Sequence, residues 1–184
     1  MKKVLLLGDS IRMGYDSMVR EMLEGEYEVF YDDNDNGRFT TYTLWQANQL
    51  IRKYGYFDVI HWNNGYWDMH TEAPMQEPIC TIPEYTHMLR KILRLLRQNS
   101  NRVIFATSLP VPAADTLRSY DNDTVIAYNA AALEVMHQEH VEVNDLYEMM
   151  YSYDGFLKCE DGVHLTQEGY HLCAEQIARI IRKG

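Results

Sequence analysis

Cysteine is scarce in this chain, and the three present, Cys80, Cys159 and Cys173, form no CxxC pair. So small and odd a set is a poor disulfide framework and reads as reduced thiols in a cytoplasm. No cysteine or histidine pairs fall at zinc-ligand spacing, so no structural metal is expected. Long apolar runs are missing too. Met1-Lys2-Lys3 is followed by only four apolar residues, Val4 to Leu7, which is shorter than the apolar core of a signal peptide, and no stretch approaches the ~20 residues of a membrane span. Positive charge is in deficit, with 17 Lys and Arg against 27 Asp and Glu for a net −10. Nucleic acids and anionic membranes need a positive surface, so neither is expected as a partner, and a small neutral or cationic substrate is the simpler expectation. Neither GxGxxG nor GxxxxGK occurs, which removes the usual nucleotide fingerprints.

What is present suits one packed domain spanning 1–184, with 46% hydrophobic and 24% charged residues. Val4-Leu5-Leu6-Leu7 ends at Gly8 and predicts a buried strand. A helix follows from about Met13 to Leu23, then a strand from Tyr27 to Tyr31 and a helix from Thr43 to Tyr54, stopped by Gly55. Phe57 to Trp62 and Arg102 to Thr107 predict further strands, with Val141 to Val143 a short fifth. Glu84 to Gln98 is the clearest helix, its stripe formed by Tyr85, Met88, Leu89, Ile92 and Leu96. Helices are also expected over Asp121 to Gln138 and Thr166 to Arg182. The β-α alternation implies a parallel sheet with helices on both faces. In such sheets ligands bind beyond the carboxyl ends of the strands. The long stretch from His70 to Pro83, rich in proline, is a candidate lid or pocket wall.

Gly8-Asp9-Ser10-Ile11 closes the first strand. Gly8 permits a tight strand-to-helix turn. Ser10 then stands at or just before a helix N-terminus, where exposed N–H groups and the positive dipole end can stabilise an oxyanion. Alone, the tripeptide reads as a helix cap, since Asp and Ser both cap well. Asp161-Gly162-Val163-His164 shifts that balance. Three residues apart on a turn, the carboxylate can hold the imidazole Nδ1 while Nε2 points into the crevice; the alternative is a turn-stabilising pair ahead of a capped helix. A serine hydroxyl is nearly inert until such a base takes its proton. Each motif supplies what the other needs, and their joint placement at strand ends favours an enzyme.

Taken together, Gly8-Asp9-Ser10 and Asp161-Gly162-Val163-His164-Leu165-Thr166, with Gln167-Glu168-Gly169-Tyr170 opening the last helix, resemble a GDSL-type hydrolase of the SGNH superfamily. Lying near opposite ends, the blocks extend the resemblance over nearly all of the chain. The resemblance implies a three-layer α/β/α, flavodoxin-like fold with a five-stranded parallel sheet. It implies an ester hydrolase with no metal and no cofactor, Ser10 as nucleophile, His164 as base and Asp161 as its orienting acid. It also implies an oxyanion hole made by the serine N–H, a glycine N–H and an asparagine side chain. Gly37, in Asn36-Gly37-Arg38, matches the glycine by position, although read by itself it is a plain Asn-Gly turn. The asparagine block departs from the usual Gly-x-Asn-Asp. Here it reads Trp62-Asn63-Asn64-Gly65-Tyr66-Trp67-Asp68, and aligning Gly65 and Asp68 puts Trp67 where an amide donor is needed. Asn63, in the Asn-x-Gly order of some relatives, is the first candidate and Asn64 the next.

Tyr42, Trp45, Trp62, Tyr66 and Trp67 crowd the crevice region, and aromatic faces near a site pack against sugar rings. An O-acetylated carbohydrate is therefore the expected substrate, with Tyr66 and Trp67 as binding residues and Trp45 and Trp62 as packing residues. Arg12 is a candidate substrate anchor, with a helix-dipole role or a solvated surface position as alternatives. Thioester or lysophospholipid hydrolysis uses the same triad. A reading of a different class is a non-catalytic module that holds a carbohydrate or acyl group; the irregular asparagine block supports it and the intact Ser10, Asp161 and His164 oppose it. His61, inside a strand, reads as a satisfied core residue.

Overall fold

The computed structural model describes residues 1–112 and 121–183. In chain order the elements are β1 (Lys2–Leu7), α1 (Ser10–Met22), β2 (Tyr27–Phe30), α2 (Thr40–Tyr54), β3 (Phe57–Asn63), α3 (Ile82–Gln98), β4 (Ser100–Ala106), α4 (Asn122–Gln138), β5 (Glu142–Asn144), α5 (Leu146–Tyr151), a 3₁₀ turn (Asp154–Leu157) and α6 (Gln167–Arg182). The strands form one parallel sheet in the order β2-β1-β3-β4-β5. That is the flavodoxin-like order expected from the sequence, and its direction reverses beside β1.

Val4 to Leu7 lie in the middle of the sheet and are buried throughout, which is why that strand reads as an unbroken apolar run rather than an alternating one. Val4 sits between Val29 and Val59, and Leu5 between Phe30 and Ile60. The helices flank the sheet in two groups, α1 with α6 and α3 with α2 and α4. The α1–α6 seam closes over Gly14, where a Cβ would come within 2.1 Å of the Tyr170 ring. This seam ties the helix that begins at Ser10 to the helix that follows His164.

Local chemistry sets the helix ends. Asp9 caps α1 by accepting from the Ile11 N–H (2.9 Å), so α1 starts at Ser10, earlier than the apolar periodicity predicts. Thr166 caps α6 in the same way, accepting from the Gly169 N–H. Glu84 accepts from the backbone N–H and hydroxyl of Thr81, and Pro83 sits in the first turn of α3, so the proline-rich loop ends sooner than Pro83. α5 was not anticipated. Its six residues are too few for a helical period to show.

Candidate active site

Ser10 is delivered to the carboxyl end of the sheet by β1 and the Gly8-Asp9 turn, and its N–H, in the first turn of α1, has no intrahelical acceptor. Opposite stands a hairpin closed by an antiparallel bridge between Lys158 and Leu165. Cys159 N–H donates to the His164 carbonyl (2.8 Å), and Gly162, at φ +71°, turns the chain between them. Within this turn Asp161 Oδ1 accepts from the N–H groups of Val163 (2.9 Å) and His164 (2.8 Å). Its other oxygen, Oδ2, accepts from His164 Nδ1 at 2.5 Å, and His164 Nε2 lies 2.9 Å from Ser10 Oγ. Partial burial works against ionisation of Asp161, but the bonds from the imidazole and the two backbone N–H groups outweigh it and hold the carboxyl down at about 2. The carboxylate is therefore charged at neutral pH and fixes the tautomer that leaves Nε2 as an acceptor for the serine proton.

The structure redistributes the expected oxyanion donors. The Gly37 N–H donates to the Gly8 carbonyl at 2.7 Å, so it holds the β2–α2 loop against the β1 turn and is not free to bind an oxyanion. Asn64 is wholly engaged. Its Nδ2 donates to the Arg38 carbonyl (3.1 Å) and Thr43 Oγ1 (2.8 Å), and its Oδ1 accepts from Trp62 Nε1 (2.6 Å). Asn63, at the end of β3, donates one N–H to the Ala106 carbonyl (2.9 Å) and keeps a second.

Two substrate-binding expectations are corrected. Arg12 is 2% exposed. Its guanidinium donates to the Asp16 carboxylate and to the carbonyls of Asp32 (2.9 Å) and Asp35 (2.6 Å), so it pins the loop leading to Gly37 instead of meeting substrate or solvent. Tyr66 is also buried, and its hydroxyl donates to the Leu109 carbonyl (2.6 Å). Trp67 is 37% exposed and is the open ring of the segment after β3. Trp62 is buried in the sheet as expected, whereas Trp45, expected to pack inside, is 56% exposed and leans on Tyr42. His61 is buried in β3. Its Nε2 pairs with Asn144 Nδ2 (3.1 Å), but its Nδ1 has no partner among the described residues.

Lys158 was not singled out in the sequence, where a lone lysine carries no mark of what encloses it. Its ammonium is enclosed beside the hairpin and donates to the Val163 carbonyl (2.8 Å) and to Tyr66 Oη (3.2 Å). Among the described residues no group of three or more His, Cys, Asp or Glu is arranged to hold a metal, and no helix is long and apolar enough to cross a membrane.

Beside this parallel sheet, with a serine at the end of its first strand and an Asp-x-x-His turn before its last helix, stands a partial sequence resemblance to GDSL-type esterases and lipases. The particular relatives are plant proteins. GDSL esterase/lipase CPRD49 of Arabidopsis thaliana is 27% identical over 119 residues, and GDSL esterase/lipase WDL1 of Oryza sativa subsp. japonica is 29% identical over 120. Each match covers 58% of this chain and 46% of the relative, so the chain spans about half the length of the curated relatives it matches. No family model matches the chain. Among solved structures, the lipase/acylhydrolase from Enterococcus faecalis has a TM-score of 0.83 at 24% identity, covering 100% of this chain and 96% of that one. The acetyl xylan esterase AlAXEase has a TM-score of 0.81 at 18% identity, covering 97% and 99%. These likenesses show the fold, which is the three-layer arrangement expected of an SGNH hydrolase.

Proposed function

We propose that this chain is a serine ester hydrolase that removes a small acyl group, acetyl first among them, from a carbohydrate ester. The observation that carries the reading is the unbroken line of hydrogen bonds from Ser10 Oγ through His164 to Asp161, at 2.9 and 2.5 Å. His164 Nε2 takes the hydroxyl proton as Ser10 attacks the ester carbonyl, and Asp161 stabilises the imidazolium that forms. The tetrahedral oxyanion is met by the Ser10 N–H and by the second amide N–H of Asn63. His164 then protonates the departing alcohol, and later takes a proton from the water that hydrolyses the acyl-enzyme. The carbohydrate assignment rests on the exposed Trp67 ring and on the acetyl xylan esterase among the structures that share the fold.

The test is hydrolysis of p-nitrophenyl acetate and its longer-chain homologues, followed by acetylated sugars with product analysis. The wild type releases nitrophenol and loses rate as the acyl chain lengthens, and a folded Ser10→Ala variant releases none. A fluorophosphonate probe labels Ser10 of the wild type. A folded wild-type protein that neither labels nor turns over a broad ester and thioester panel overturns the reading in favour of a non-catalytic binding module.

A further inference from the structure

We infer that Lys158 is a positioning residue that holds the Asp161–His164 turn against Ser10. The inference rests on the esterase reading above. The hairpin from Lys158 to Leu165 carries both members of the acid–base pair, and Val163 and Leu165 bury their side chains in the core beneath it. Lys158 adds a polar anchor to that packing. Its ammonium reaches the carbonyl of Val163, the residue immediately before His164, and from the same atom reaches the hydroxyl of Tyr66 in the segment after β3. It also lies over the Tyr66 ring, 5.5 Å from its centre. Tyr66 is fixed in turn, because its hydroxyl donates to the Leu109 carbonyl beyond β4. One side chain thus joins the histidine turn to loops from two neighbouring strands. Only a donor with several N–H bonds on a long stem can do this.

The anchor is held at a cost. Burial pushes the Lys158 ammonium down to about 7, against the pull of the nearby Cys173, Asp9, Asp161 and Cys159 groups. An apolar side chain of similar length avoids that cost, so a lysine kept here for stability alone is a poor choice. A lysine kept to hold a reacting imidazole in place fits both the enclosure and the two acceptors. The loss falls on the chemical step, because Lys158 acts through His164.

The experiment compares wild type with Lys158→Met and Lys158→Gln by melting temperature, by kcat and KM on p-nitrophenyl acetate, and by the rate of fluorophosphonate labelling of Ser10. Lys158→Met is expected to melt no lower than wild type, yet to lose at least about ten-fold in kcat at little-changed KM, with labelling slowed by the same factor. Lys158→Gln keeps a donor for Val163 and is expected to recover part of that loss. Folded variants that label and turn over at the wild-type rate overturn the positioning role while leaving the esterase reading intact. A wild type that is itself inert overturns the esterase reading and this role with it. Should Lys158→Met fail to fold, Lys158→Gln decides on the same two rates.

Discussion

Asn63 and Asn64 are adjacent, chemically identical and near the same strand end, and hydrogen-bond satisfaction separates them. Asn64 ties Trp62, Arg38 and Thr43 together, so its removal leaves buried partners unmatched. Asn63 retains a donor. Asn63→Ala is therefore expected to lower kcat by about 10²–10³-fold with a small change in melting temperature. Asn64→Ala is expected to lower the melting temperature first. Steady-state kinetics and thermal melts on both variants check the assignment, and the reverse pattern overturns it. Arg12 belongs to the same scale. Arg12→Met leaves Asp16 and two loop carbonyls without their donor, and a broken buried ion pair costs about 3–5 kcal/mol, to be read by urea unfolding. The sequence singled out Ser10, Asp161 and His164 because the proposed chemistry calls for those residue types at a strand end and a turn, and the three lie within hydrogen-bond reach. It could not show that Arg12 and Tyr66 face inward, since both are amphipathic and their burial depends on which loop folds over them. Lys158 was hidden for the same reason.

At the scale of elements, the site is a meeting of two helix starts. α1 begins at Ser10 and α6 begins just after His164, and the two pack together where Gly14 meets Tyr170. The sequence made most of these elements legible, because capping residues and apolar stripes are local signals. It did not show that Gly14 is the point of contact, since a glycine in a helix carries no mark of what lies against it. Gly14→Ala places a methyl inside the van der Waals radius of the Tyr170 ring, and such overpacking costs about 1–3 kcal/mol. Forcing α6 away from α1 also moves His164 away from Ser10, so the variant is expected to lose activity as well as stability. Tyr170→Leu in the same chain opens the seam and restores both in part. Denaturation midpoints and kcat for the single and double variants measure the coupling.

At the scale of the whole molecule, acid stability is set by buried groups that oppose one another. Burial holds His61, in the middle strand, neutral with its pKa lowered from 6.5 to about 3. Between those values the unfolded chain binds a proton that the folded chain refuses, so His61 makes stability fall as pH drops from 6.5 towards 3. Asp68 works in the other direction. Burial raises its carboxyl from 3.8 to about 6, so the folded chain holds the extra proton, and this group makes stability fall as pH rises through the same interval. Across pH 4 to 6 each group differs by close to one proton between the folded and unfolded chain, with opposite signs, so wild-type stability is expected to be nearly flat there. Asp161, lowered from 3.8 to about 2, acts almost wholly below that interval and leaves it undisturbed. His61→Gln keeps a polar partner for Asn144 but removes the titration, which leaves Asp68 in control of the interval. Its urea midpoint is expected to fall between pH 4 and 6, where that of the wild type is nearly flat. A variant that keeps the wild-type slope would show that a different group governs the acid limb, whatever its absolute stability.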